Sequence, residues 1–211
     1  MNPLHLLAAL HRAITVAGGK LLFRNPVANI VPSPQGFSVQ ASDHCLQAPK
    51  VVVAAGLATP SLTEPLGMAI PLRSERGQIL VSERVEPILP YPANGLRQTA
   101  EGTVMIGATK ENLSDAGVTV ASATTLARRA TRIIPALSSA RLVRQWSGFR
   151  VLPPDGAPIY AQSTRYPGLF AAVCHSGVTL AAAHAVLIAP AIAAGLLSES
   201  LEVFSNGRFD V

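Results

Sequence analysis

Cysteine is scarce in this chain: Cys45 and Cys174 are the only two among 211 residues, too few for a disulfide framework. Aromatic residues make up 5% of the sequence and charged residues 14%. That composition does not suit a nucleic-acid surface, which needs basic stripes interleaved with aromatic stacking platforms. His5, His11, His44, His175 and His184 form no compact pattern with carboxylates, so no metal centre is expected. No two of the 16 glycines are separated by a single residue. The G-x-G-x-x-G turn, which lets backbone approach a dinucleotide pyrophosphate, is therefore missing. The N-terminus, Met1-Asn2-Pro3-Leu4-His5, lacks the basic stretch and apolar run of a secretory leader. The expectation is a reduced, cytoplasmic setting. One nearly uncharged stretch, residues 177–197, approaches the ~20 residues of a membrane span. It is rich in alanine, carries His184 and Pro190, and follows a strand-and-turn signal. A helix buried against a sheet is expected there, and no integral span.

What is present supports a packed core, because 49% of the residues are hydrophobic. The net charge of +5 comes from 14 arginines and 3 lysines, scattered along the chain. Arg128, Arg129 and Arg132 cluster on a helical pattern whose apolar side is Leu126, Ala130 and Ile133, which reads as a solvated helix face. Asn2-Pro3 opens a helix, with asparagine as N-cap and proline in the first turn. Leu4, Leu7, Ala8, His11 and Ile14 continue it to Gly18-Gly19. Short strands are expected at Lys20–Phe23, Val27–Val31 and Gly36–Gln40, the last two separated by a turn at Pro32–Gly36. The apolar run Val51–Gly56 suits a strand of a parallel sheet, buried on both faces. Beyond Ile70 the character turns antiparallel, with strands at Gln78–Val81, Thr103–Ala108 and Val143–Val151 and a helix at Ser122–Ile134. Leu169–Val173 returns to the buried-strand character before the final helix.

Two segments carry the chemistry. Trp146–Pro158 reads W-S-G-F-R-V-L-P-P-D-G-A-P, and Leu169–Leu180 reads L-F-A-A-V-C-H-S-G-V-T-L. Together with the V-V-V-A-A-G run ending at Gly56 and Arg76-Gly77-Gln78, this ordered set resembles the C-terminal part of the FAD-dependent amino-acid oxidase family. That family includes glycine oxidase, sarcosine oxidase and D-amino-acid dehydrogenase. The resemblance implies an α/β fold with α+β character. A partial FAD-binding, Rossmann-like layer would be interleaved with a mostly antiparallel substrate-binding sheet layer. Residues 1–69 would be a partial FAD-binding subdomain, 70–150 the substrate-binding subdomain, and 151–211 the return to the FAD-binding subdomain with its C-terminal helix. The family's N-terminal half has no counterpart in the sequence, and neither does the acidic ribose-binding residue expected after the glycine motif. The chain therefore reads as a C-terminal half, and a separate dinucleotide-binding chain is an expected partner.

The resemblance also assigns roles. Arg150 would grip a substrate carboxylate so that the Cα–H points at the flavin, since a guanidinium fork makes two parallel hydrogen bonds. On sequence alone an ion-paired surface arginine remains the alternative. His175 would bind substrate or tune the flavin, or else be an ordinary hydrogen-bonded histidine. Ser176, Gly177, Val178 and Thr179 would open the last helix and offer backbone N–H groups to reduced flavin. An ordinary serine N-cap would read the same way. Gly56, Gly77 and Gln78 would line the cofactor, and Val27 would touch adenine through its backbone. FAD is the implied cofactor, and a small amino acid or amine the implied substrate. The reaction would be oxidation of its Cα–N bond. A non-catalytic remnant or interaction subunit is the alternative. Adjacent Cys174 and His175 point to opposite faces of a strand, which argues against a thiol nucleophile and its base. Ser176 lacks the glycine of a hydrolase elbow two positions before it.

Overall fold

Asn2 caps the first helix, α1 (Pro3–Val16), its Oδ1 accepting from the Leu4 N–H at 3.0 Å in the computed structural model, which describes residues 2–209. None of the α1 residues is buried; Leu4, Leu7, Leu10, Ile14 and Val16 are all exposed. Two compact units follow from the chain's contacts, one made of the residues up to Leu72 and from Pro153 onward, the other of Arg73–Leu152.

In the first unit an antiparallel sheet runs β1 (Val27–Ser33), β2 (Gly36–Ala41), β3 (Cys45–Ala48), with Ser33 opposite Gly36 across a tight turn. The strand expected at Lys20–Phe23 is absent. Arg24 adopts φ 57, a left-handed conformation that breaks the extended chain just before Pro26. The V-V-V run gives β4 (Val51–Val53), followed by a short helix α2 (Thr59–Thr63).

The second unit is a four-stranded antiparallel sheet backed by a helix. Its strands are β5 (Arg73–Arg84), β6 (Leu96–Gln98), β7 (Thr103–Gly107) and β8 (Leu142–Leu152), in the order β6-β7-β5-β8. Helix α3 (Val120–Ile133) is capped by the Thr119 side chain. Its Leu126 and Ala130 pack with Leu80, Leu96, Val104, Ile106 and Leu137. Each of the large apolar side chains among them contributes about 1.5–3 kcal/mol by leaving water.

The chain then returns to the first unit as β9 (Ile159–Gln162) and β10 (Leu169–Val173). β10 lies parallel to β4 and antiparallel to β9. The last helical stretch differs from expectation. Residues 177–180 form a turn, and the helix proper begins as α4 (Ala181–Ala183). It widens into a π-helical segment, His184–Ile188, and closes as α5 (Ala189–Ala194). Pro190 explains the widening, because it has no N–H for the carbonyl one turn back and its ring crowds that carbonyl. Val186 and Leu187 are exposed, whereas Ile188 packs with Tyr160 and Leu201. Among the described residues no single helix is long and apolar enough to cross a membrane. The fold is α/β with antiparallel sheets.

Candidate functional site

The register of β5 against β8 builds one candidate site. Glu75 faces Arg150, Gly77 faces Gly148, and Ile79 faces Trp146. Directly opposed residues share a face, and successive residues alternate faces. These six therefore lie on one side of the sheet, while Arg76, Gln78 and Leu80 lie on the other. Arg150 Nη1 donates to Glu75 Oε1 at 3.0 Å, and Nη2 donates to the Thr109 carbonyl at 3.1 Å. The Arg150 and Glu75 side chains are 24% and 20% exposed, so their attraction is screened and adds at most about 1 kcal/mol to stability. Its effect is orientation. The guanidinium lies directly over Gly77, where an added Cβ would sit 2.8 Å from both terminal nitrogens. Of the five guanidinium N–H groups, these two bonds leave one on each terminal nitrogen and the one on Nε. That remainder suits a carboxylate.

The opposite face is a buried polar network. Arg76, 2% exposed, pairs through Nη2 with Glu111 Oε2 at 2.6 Å and through Nη1 with Asp115. Gln78 Nε2 donates to Glu111 at 2.8 Å and to Ser122 at 3.0 Å. Its Oε1 accepts from the Thr119 N–H at 2.9 Å and from Gln145 at 2.8 Å. The Glu111 carboxyl is held down to about 2, first by the Thr109 hydroxyl and then by Gln78, Arg76 and Ser122, against the opposing effect of burial. Thr109 Oγ1 donates to Glu111 and accepts from the Gln78 N–H at 2.9 Å. The network thus fixes Thr109, whose carbonyl on the chain's other side receives Arg150. Of the R-G-Q run, only Gly77 reaches the face that carries Arg150. The Gln78 side chain is fully buried and committed to the network. Glu75 and Thr109 carry no motif of their own. The signal for Glu75 is its position two residues before Gly77 on a strand.

The remaining candidates lie in the first unit. Since β4 and β10 run parallel, with Val53 opposite Ala171, the segments leaving them emerge at the same end of the sheet, the place where open α/β sheets bind ligands. Gly56 follows β4, and His175–Thr179 follows β10. Ser176 has φ 61, and its carbonyl accepts from the N–H groups of Thr179 at 2.9 Å and Leu180 at 3.1 Å. This turn replaces the expected helix start, because a left-handed residue cannot continue into a right-handed helix. The N–H groups of Gly177 and Val178 are used by no hydrogen bond among the described residues. His175 is exposed, with Nδ1 2.8 Å from Ser176 Oγ. Val27 opens β1 opposite Ala41, in a different sheet from the strand that leads to Gly56. Cys174 is raised by burial above the usual thiol range. Its histidine neighbour is His184, at 3.9 Å, whose Nε2 is also 2.8 Å from the Tyr160 hydroxyl. The donor set fits one end of a flavin, since free backbone N–H groups suit its electron-rich carbonyl. No glycine fingerprint for the pyrophosphate accompanies it.

A family profile described as FAD dependent oxidoreductase matches residues 1–191. An opine oxidase subunit of Rhizobium meliloti is 44% identical over 99% of this chain and 57% of its own length. The glycine oxidase of Pseudomonas putida is 29% identical over 69% of this chain and 42% of its own length. Among solved structures, glycine oxidase from Geobacillus kaustophilus superposes with a TM-score of 0.83 at 25% identity, covering 94% of this chain and 56% of that one. The chain spans about half the length of these relatives, from 42% to 57%.

Proposed function

This chain belongs to the FAD-dependent oxidoreductase family, and we propose that it is the substrate-gripping C-terminal portion of an enzyme oxidising the Cα–N bond of a small or N-substituted amino acid. The observation that carries this reading is Arg150, held over the bare backbone of Gly77 by Glu75 and the Thr109 carbonyl with three N–H groups to spare. A carboxylate docking on those groups has its α-carbon set in one place and orientation, which is most of what an amino-acid oxidation asks of the protein. The chemistry that bound FAD would supply is a hydride acceptor for the substrate α-carbon. The N–H groups of Gly177 and Val178 would hold its electron-rich carbonyl end, Gly56 would line the same end of the sheet, and His175 would stand at that turn. Val27 would meet the adenine end through its backbone, and Gln78 would act indirectly, by anchoring Thr109.

The relatives named as opine oxidase subunits favour an N-substituted amino acid as substrate. The same names, with that of a hydrogen cyanide synthase subunit, favour assembly with another chain. The dinucleotide-binding half, whichever polypeptide carries it, would complete the FAD site. The test is calorimetric binding of glycine and N-methylglycine to the protein isolated with whatever completes it. Loss of a charged bidentate anchor is worth about 2–3 kcal/mol, roughly thirty-fold or more in affinity. Arg150→Ala is expected to lose that much and Arg150→Lys to recover part of it. Unchanged binding in Arg150→Ala would overturn the reading and leave a non-catalytic member of the family.

A further inference from the structure

Trp146 is this chain's only tryptophan, and at 41% exposure it stands on the same sheet face as Arg150. We infer that Trp146 sets the specificity of this face, taking an apolar arm on the nitrogen or α-carbon of the amino acid whose carboxylate Arg150 holds. The inference rests on the reading of Arg150 given above.

Three distances carry it. A Cβ on Gly77 would meet the Arg150 guanidinium at 2.8 Å, and a Cβ on Gly148 would meet the Trp146 ring at 3.6 Å. Gly77 and Gly148 are direct cross-strand partners, so the guanidinium and the indole stand above neighbouring Cα atoms, about 5 Å apart. The wall continues through Ile79, the cross-strand partner of Trp146, whose Cγ1 would lie 2.7 Å from a Cβ on Gly107. Arginine and indole are not spent on each other. Among the described residues the cation–aromatic contacts are Arg165 with Tyr166 and Arg208 with Phe209. The indole N–H has no hydrogen-bond partner among those residues either, and neither Ile79 nor the glycine floor has a polar side chain to offer. An anion anchor and an apolar wall therefore share a floor without side chains. A carboxylate on Arg150 brings the atoms two or three bonds away against Trp146. Glycine leaves the indole in water, whereas an apolar arm covers it.

Discrimination by one such contact is modest, roughly tenfold. The experiment uses the full chain with its co-purifying partner and three probes: glycine, N-benzylglycine and racemic phenylalanine. Calorimetry on the wild-type protein is expected to give at least one armed probe about tenfold tighter binding than glycine. Trp146→Ala is expected to erase that advantage with glycine binding retained, and Trp146→Phe to keep most of it. Emission that is present in wild type and missing in Trp146→Phe should shift with the armed probe and not with glycine. An armed advantage that persists in Trp146→Ala, or no advantage in the wild-type protein, would overturn the inference while leaving Arg150 untouched. Arg150→Ala separates the two readings, since it should weaken all three probes together; if it weakens none, the underlying assignment of Arg150 is what has failed.

Discussion

At the scale of single residues, the candidate site depends on what Gly77 does not have. A methyl group there would collide with the end of a long, movable side chain, the Arg150 guanidinium, and not with backbone. Gly77→Ala is therefore expected to displace Arg150 while shifting the urea midpoint by the equivalent of less than about 1 kcal/mol. Amino-acid binding should fall roughly tenfold, and calorimetry beside a denaturation curve checks both halves. The Glu111 carboxyl makes a separate prediction. Its folded value of about 2 lies below the ordinary 4.5. The stability it contributes is complete above about 4.5 and is lost as pH falls from there towards 2. Urea midpoints across that window should fall more steeply for the wild-type protein than for Glu111→Gln. The family resemblance of W-S-G-F-R and R-G-Q is what pointed to Arg150, Gly77 and Gln78. The resemblance also places Gln78 beside the cofactor; in the structure Arg76 and Gln78 are both buried, and the carboxylate that allows it, Glu111, lies 35 and 33 residues away in sequence. No local pattern announces a partner at that distance.

At the scale of elements, the apolar runs Leu169–Val173 and Val51–Val53 were legible as strands, although Val52 is exposed where burial on both faces was expected. The short strands β3 and β6 were not, since each is defined by its neighbour's hydrogen bonds more than by its own residues. The start of the last helix was misread for a physical reason. Serine before glycine looks like an N-cap, but Ser176 takes a left-handed conformation and makes a turn instead. The elements also differ in what they stabilise. Leu126 of α3 is buried in the core of the second unit. Leu126→Ala should cost about 2–5 kcal/mol, visible as a lower urea midpoint. Leu7 of α1 is 49% exposed, and Leu7→Ala should leave that midpoint nearly unchanged. If α1 meets a partner, Leu7→Ala should instead weaken co-purification.

At the scale of the whole molecule, the exposed apolar residues are the feature that composition could not reveal. Leu4, Leu7 and Leu10 on α1, Val52 on β4, and Val186 and Leu187 before α5 all face outward. Soluble monomers rarely expose more than a few hundred Å² of contiguous apolar surface without using it. The curated relatives extend well beyond the 57% of their length that this chain spans, and on the function proposed above these faces would meet that remainder. The most direct test is to isolate the tagged chain gently from its own cells, record the flavin absorbance, and weigh every polypeptide that accompanies it. The preparation is expected to be yellow, with a dinucleotide-binding half present, joined to this chain or beside it. A colourless preparation of this chain alone, soluble and monomeric, would contradict the assignment.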